Sequence, residues 1–265
     1  MSGPSRFDGA LTTYENAALV QRSVVDALSK ALFACAQDAP RQFKNVFEFG
    51  CGTGMLTRAL LAHTTPQTLW LNDASPAMLA HCCDQIERKV NVRRLLGNAE
   101  TLAWPQEMDL IASSSTVQWF AEPLGVVAKA EKALRSGGML ALTGFLPGTL
   151  EEVTSLTGVG LRYPSAQDWQ RVLTRRMQLC AFTELPQTLV FDSPRDVLEH
   201  LRSTGVNGIA RRFAWTRRTL QAFCDDYCRL FEVDGDRVRL TYRPWMAVAR
   251  KHMSNAAIND TTNAA

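Results

Sequence analysis

The sequence predicts an α/β fold, a mostly parallel sheet with helices on both faces, and three observations predict it. Short apolar runs alternate with helical patterns through the first half of the chain, an order that generates right-handed crossovers and parallel strand pairing. The run Val46-Phe47-Glu48-Phe49 breaks into Gly50-Cys51-Gly52-Thr53-Gly54 and enters a helical pattern at Met55. Asp73 then closes the next apolar run, about 20 residues on, where an acid can grip both hydroxyls of a ribose. Glycines at such a junction let the backbone turn sharply and let a ligand approach closely, while the helix start offers unpaired amides. The glycines and the acid together point to a bound ribonucleoside.

Each element has its own signal. Thr12 and Glu15 have capping-box spacing, and Ala18, Leu19, Val24, Val25, Leu28, Ala31 and Leu32 recur at helical intervals, predicting a helix over 14–35. Strands are predicted at 45–49, 68–72, 92–96, 108–113 and 139–144, with helices at 55–63, 76–88 and 123–134, the last ending at Ser136-Gly137-Gly138. Beyond Gly144 the rhythm changes. Helices are expected at 151–156 and at 165–176, where Ser165 and Asp168 have capping spacing. Late strands are expected at 188–191 and 238–242, with 245–249 continuing the second. Between them lies a helical insertion, 194–231, placed to act as a lid, and the polar stretch 254–265 reads as a frayed tail after one domain spanning 1–253.

Composition excludes several classes. At 265 residues and 46% hydrophobic, the chain can bury one substantial core. No apolar run approaches the roughly 18 to 20 residues that a membrane span needs, and residues 1–6 lead into no apolar export segment, so a soluble, cytoplasmic protein without membrane association is expected. The seven cysteines form no C-x-x-C pair and the four histidines are scattered, which argues against a disulfide framework and against a metal site. A net charge of +3 is too mild to indicate nucleic acid. The basic excess is local: residues 161–220 hold 10 arginines against 5 acids. Arg171, Arg175, Arg176, Arg211, Arg212, Arg217 and Arg218 form either a surface for an acidic partner or a solvated helix face.

The glycine spacing also bears on which nucleoside binds. A dinucleotide site has G-x-G-x-x-G, and here neither Leu56 nor Thr57 supplies the third glycine, which opposes a nicotinamide dehydrogenase. Gly50-x-Gly52-x-Gly54 resembles the first motif of the class I S-adenosylmethionine-dependent methyltransferases, and Asp73 matches the ribose-binding acid of that superfamily. Gly97-Asn98-Ala99-Glu100 fits its third-strand motif, with Asn98 where aspartate is usual. Phe7-x-x-Ala10-x-x-x-Tyr14, the segment Ser113 to Phe120 with its Val117-Gln118-Trp119 core, Tyr242 and Arg243-Pro244 narrow the resemblance to the malonyl-acyl-carrier-protein O-methyltransferase family of biotin synthesis. The Gln-Trp segment also looks like that of trans-aconitate methyltransferase, another carboxylate-methylating enzyme.

The resemblance implies a Rossmann-like, seven-stranded sheet and S-adenosyl-L-methionine as cofactor. It implies a cofactor site of Glu48, Gly50, Gly52, Gly54, Asp73, Ala74, Asn98, Ala99 and Ser113. It further implies a malonyl-loaded acyl carrier protein as partner; Tyr14, Gln118 and Trp119 are expected at the reacting centre, and the basic insertion supplies Arg211 and Arg212 as candidates to hold the substrate carboxylate. From the residues alone, Gln118 and Trp119 serve equally as a strand cap and core filling, and Arg211 and Arg212 as solvated surface. Two alternatives stand beside this reading: a small-diacid carboxyl methyltransferase, and a non-catalytic S-adenosylmethionine-binding protein.

Overall fold

Apolar β-formers bounded by turn residues build the sheet, and amphipathic helices cover it. The computed structural model describes residues 19–36, 43–86, 90–204 and 213–253. In chain order the elements begin with α1 (Leu19–Cys35), β1 (Asn45–Phe49), α2 (Met55–Leu61), β2 (Thr68–Asp73), α3 (Pro76–Asp84), β3 (Asn91–Leu96) and β4 (Met108–Ser113). A 3-10 turn (Val117–Trp119), α4 (Gly125–Ala133), β5 (Leu134–Phe145), α5 (Glu151–Thr157), α6 (Ala166–Arg176) and β6 (Gln178–Glu184) follow. The chain then forms β7 (Gln187–Phe191), α7 (Pro194–Ser203), α8 (Arg217–Phe231), β8 (Glu232–Val233), β9 (Arg237–Tyr242) and β10 (Pro244–Arg250).

The main sheet has seven strands in the order β3-β2-β1-β4-β5-β10-β6. The first five pair in parallel, and β10 runs antiparallel to both β5 and β6. The chain builds outward from β1 to β3 and then crosses back to β4 on the other side of β1. The crevice beyond the carboxyl ends of β1 and β4 is therefore the topological switch point, where open α/β sheets hold their ligands.

The seven strands are not the seven expected. Residues 178–184, unassigned in the sequence, are the edge strand β6 of the main sheet, whereas 188–191 falls within β7 of a separate antiparallel sheet, β7-β9-β8. Nor is 238–249 one strand. Thr241 pairs with Thr188 in the small sheet, while Trp245 pairs with Gly144 and Glu184 in the large one. The chain changes sheets at Arg243, whose carbonyl accepts from Leu146 N–H at 2.9 Å and whose N–H donates to Thr149 Oγ1 at 3.0 Å. Pro244, which has no N–H to place in a ladder, opens the new strand. Strand β5 also starts earlier than expected, since Leu134 pairs with Met108 across an irregularity in β4.

One face of the main sheet buries Phe47, Phe49, Ile111, Leu140 and Leu142 under α4 and α6, with Trp169 and Trp245 in ring contact at 4.5 Å. The other face buries Val46, Leu69, Leu110 and Val248 against Leu28 and Leu32 of α1. Each fully buried side chain of this size contributes roughly 1.5–3 kcal/mol. A third cluster joins α5, α7 and α8 to the small sheet through Val153, Val197, Leu201, Phe223, Tyr227 and Leu240, and it includes Val20, Val24 and Phe145. Because Phe145 ends β5, this layer lies beside the carboxyl edge of the parallel strands. No described helix is long and apolar enough to cross a membrane.

Candidate active site

The turn after β1 holds Gly50, Gly52 and Gly54 at φ of +65°, +53° and +83°, all in the left-handed region that side chains disfavour. Their surroundings differ. A Cβ on Gly50 would fall 2.1 Å from Thr116 Oγ1, and one on Gly54 would fall 3.0 Å from Cys82 Sγ, so both glycines admit close packing. A Cβ on Gly52 would meet nothing within 4 Å. That open side faces the switch-point crevice.

Asp73 braces the turn from β2. Its Oδ2 accepts from Gly52 N–H at 2.9 Å and its Oδ1 from Ser75 N–H at 2.8 Å. The neighbouring Ala74 is exposed, and Ser75 caps α3 by accepting from Met78 N–H at 3.1 Å. Asn72 ties the end of β2 to the β3 side, donating to the carbonyls of Leu95 and Gly97 at 2.7 and 2.8 Å. At that end Asn98 is exposed and its Oδ1 accepts from Glu100 N–H at 2.9 Å, so the carboxamide shapes its own turn. Ala99 is buried, and its carbonyl receives Trp104 Nε1–H at 2.9 Å and Lys129 Nζ at 2.8 Å.

Glu48 is 1% exposed and its Oε2 accepts from Thr57 Oγ1 at 2.7 Å. Burial pushes its carboxyl well above the usual range, the nearby Cys82 adds to this, and the Thr57 hydrogen bond opposes it. A cation beside a group so placed favours its ionised form. Ser113, fully buried, donates its hydroxyl to Phe49 O at 2.7 Å and so locks the ends of β4 and β1 together.

Two clefts meet over this edge. The first, of about 380 Å³, is lined by Glu48, Gly50, Cys51, Gly52, Gln21 and Ser115 among others. The second, of about 470 Å³, is lined by Gln118, Trp119, Phe145, Tyr163 and Tyr242 and again by Gln21 and Ser115. Gln21 and Ser115 are thus the shared wall. Ser115 sits at φ +53° with its N–H on Thr143 Oγ1 at 3.0 Å, and Ser114 Oγ lies 2.9 Å from the same hydroxyl. Gln118 Nε2 donates to Ser115 O at 2.6 Å, which sets its side chain against the shared wall. The structure therefore brings Glu48, Gly50, Gly52, Gln118 and Trp119 around adjoining clefts. Tyr14, Arg211 and Arg212 lie outside the described residues.

Sequence reasoning gave no role in the site to Thr57, Ser115, Thr143, Tyr163 or the Tyr242 side chain. Thr57 carries the only available signal, a hydroxyl entering the first turn after the glycines.

A parallel sheet with an antiparallel β10 strand inside its edge, a glycine turn after β1 and an acid ending β2 define a Rossmann-like class I methyltransferase. Residues 47–142 match a family model described as a methyltransferase domain. The chain is 36% identical to a malonyl-[acyl-carrier protein] O-methyltransferase of Bacteroides thetaiotaomicron, over 93% of this chain and 96% of the relative. It is 35% identical to that of Haemophilus ducreyi, over 93% and 95%. It belongs to the malonyl-[acyl-carrier protein] O-methyltransferase family, enzymes that take their methyl group from S-adenosylmethionine. Solved structures agree on the fold. The YcgJ protein of Bacillus subtilis has a TM-score of 0.58 at 17% identity, covering 88% of this chain and 99% of its own. The geranyl diphosphate C-methyltransferase of Streptomyces coelicolor, in a complex containing S-adenosyl-L-homocysteine, has 0.53 at 11%, covering 85% and 78%.

Proposed function

We propose that this enzyme methylates the free carboxylate of a malonyl thioester on an acyl carrier protein, in the cytoplasm, as an early step of biotin synthesis. The observation that carries the reading is the second cleft adjoining the first across the shared wall of Gln21 and Ser115. S-adenosylmethionine supplies a methyl group activated by its sulfonium charge. Gly52 and Asp73 are suited to hold the nucleoside, and Glu48 to face a cationic group. A carboxylate with an ordinary pKa near 4 is ionised at neutral pH and needs no base. The wall residues then have two tasks, to align the acceptor oxygen and to strip part of its water.

The insertion over 194–231 serves as the lid in this reading, and Thr204 at the end of α7 lines the second cleft. Tyr14 would close the methyl-transfer pocket from the N-terminal side, with Arg211 and Arg212 on the substrate carboxylate. An acidic carrier fits the exposed Arg171, Arg175, Arg217 and Arg218 of α6 and α8. The test is incubation with radiolabelled methyl donor and a panel of malonyl-carrier, malonyl-coenzyme A and trans-aconitate. Base-labile methyl label on the malonyl thioesters, with malonyl-carrier preferred, supports the proposal. No such label under conditions where the cofactor binds rejects it.

A further inference from the structure

All seven cysteines are free thiols, and the proposed methyl transfer calls on none of them. Two that are far apart in the chain come together where α1 ends against the edge of the main sheet. Cys35 is the last residue of α1, and Cys180 lies in β6. Both are partly buried, and both pack on the cluster that holds α1 to the sheet.

A β-bulge aims Cys180 at the helix. Leu179 pairs with Ala249 and Ala181 with Val248, so Cys180 is the extra residue, with no partner on β10. A regular strand alternates its side chains between the two faces of its sheet. Here Leu179 and Phe182 pack on the α4 and α6 face, while Cys180 and Ala181 both pack on the α1 face. Re-aiming a side chain in this way is what a bulge does. Arg250 ties the two segments together. Its guanidinium donates to the Cys35 carbonyl at 2.8 Å, and it pairs on the sheet with Gln178, whose carbonyl accepts from the Cys180 thiol at 3.5 Å. A hydrogen bond also joins the two thiols. Burial and the Cys180 thiol push Cys35 up, against the pull of Arg250, so the pair rests as thiols at neutral pH.

We infer that Cys35 and Cys180 are a modification site, closing into a reversible disulfide when a low-molecular-weight disulfide is the oxidant. One thiol loses its proton and attacks a sulfur of the oxidant, whose S–S bond breaks as a mixed disulfide forms and a small thiolate leaves. The second thiol loses its proton and displaces the other half of the oxidant, closing the internal S–S bond. The protein gives up two electrons and two protons, and the oxidant is reduced to two small thiols. The bond is a staple from the end of α1 to β6. Helix α1 also carries Gln21 and Val25 at the clefts, so the staple fastens the helix that walls the site. A reducing compartment keeps the pair open, and a rise in the disulfide pool closes it.

The test incubates the full native chain with oxidised glutathione at a series of ratios to reduced glutathione, blocks the remaining thiols and maps the fragments by mass. A linked fragment joining Cys35 to Cys180 should appear before any other cysteine is consumed. The oxidised protein should then melt about 5 °C or more above the reduced one, as a bond closing a long loop implies. Cys35→Ser and Cys180→Ser should each abolish that shift, and the wild-type map decides the linkage even where a variant folds poorly. Neither thiol reacting at saturating oxidised glutathione overturns the inference. So does a mixed disulfide that never closes, Cys35 joined to another cysteine, or a linked fragment that leaves the melting midpoint unchanged.

Discussion

Asp73 and Gly52 are joined by a 2.9 Å hydrogen bond from the glycine N–H to Oδ2, so the acid proposed to meet the nucleoside also sets the shape of the glycine turn. In the proposed function, one carboxylate thereby carries both loop shape and ribose affinity. The second oxygen holds Ser75 N–H at the start of α3, extending the same control to the next helix.

Asp73→Ala removes both backbone contacts together with the ribose acceptor. Hydrogen bonds to a charged group contribute about 1.5–3 kcal/mol each, so donor affinity should fall at least about tenfold. Asp73→Asn, which keeps an acceptor oxygen, should fall less. Calorimetric titration with S-adenosylmethionine checks the order of the three proteins.

Two glycine substitutions should separate folding from binding. Gly50→Ala drives a methyl group into Thr116 and should lower stability by roughly 1–3 kcal/mol, as overpacking does. Gly52→Ala meets open space and bears mainly the left-handed backbone cost of about 1–2 kcal/mol. Its methyl group would nevertheless occupy the cofactor's approach. Urea denaturation beside donor titration should show Gly50→Ala partly relieved by Thr116→Ala, and Gly52→Ala folded but poor in binding.

Glu48 should make stability and binding depend on pH. The native protein keeps this proton to a higher pH than the unfolded chain, whose reference value is 4.5. From that value up to the raised native one, the native state binds more protons, so the Glu48 contribution to stability is lost as pH rises. Glu48→Gln should remove that slope, seen as a stability difference from wild type that grows in the variant's favour across the window. A cationic ligand beside Glu48 should expel its proton. Calorimetry in buffers of different protonation enthalpy should register proton release for wild type and none for the variant.

Thr143→Val tests the shared wall. It leaves Ser115 N–H without its acceptor and Ser114 Oγ without its partner, a cost of about 1–3 kcal/mol for a buried polar group left unmade. Because Ser115 lines both clefts, turnover should drop more than donor affinity. Single-turnover kinetics and donor titration on the same preparation check this.

Four of the five parallel strands were legible as apolar runs ended by turn residues, whereas β3, with Arg93 and Arg94 at its centre, was legible from its place in the strand and helix alternation; the Ser165 and Asp168 spacing does form a reciprocal cap on α6. Strand β6 was not legible. As an edge strand with half-exposed residues on both faces, it shows no alternation, and its apolar run, Leu179 to Phe182, is too short to tell a strand from a helix segment. The split between Tyr242 and Trp245 escaped for another reason, since both segments look like strands and only pairing partners distant in sequence place them in different sheets. The left-handed turn at Gly50 and Gly52 and the acid ending β2 were legible because their spacing is local. Tyr163 and Thr143 were not, because their place beside Gln118 and Ser115 arises from packing between elements far apart in the chain.

The most direct test of the account is a crystal structure with S-adenosylhomocysteine bound. The account predicts the nucleoside over Gly52, its ribose hydroxyls within hydrogen-bond distance of the Asp73 carboxylate and its sulfur towards the wall formed by Gln21 and Ser115. A nucleoside bound elsewhere, or a glycine turn left empty at saturating ligand, would contradict it.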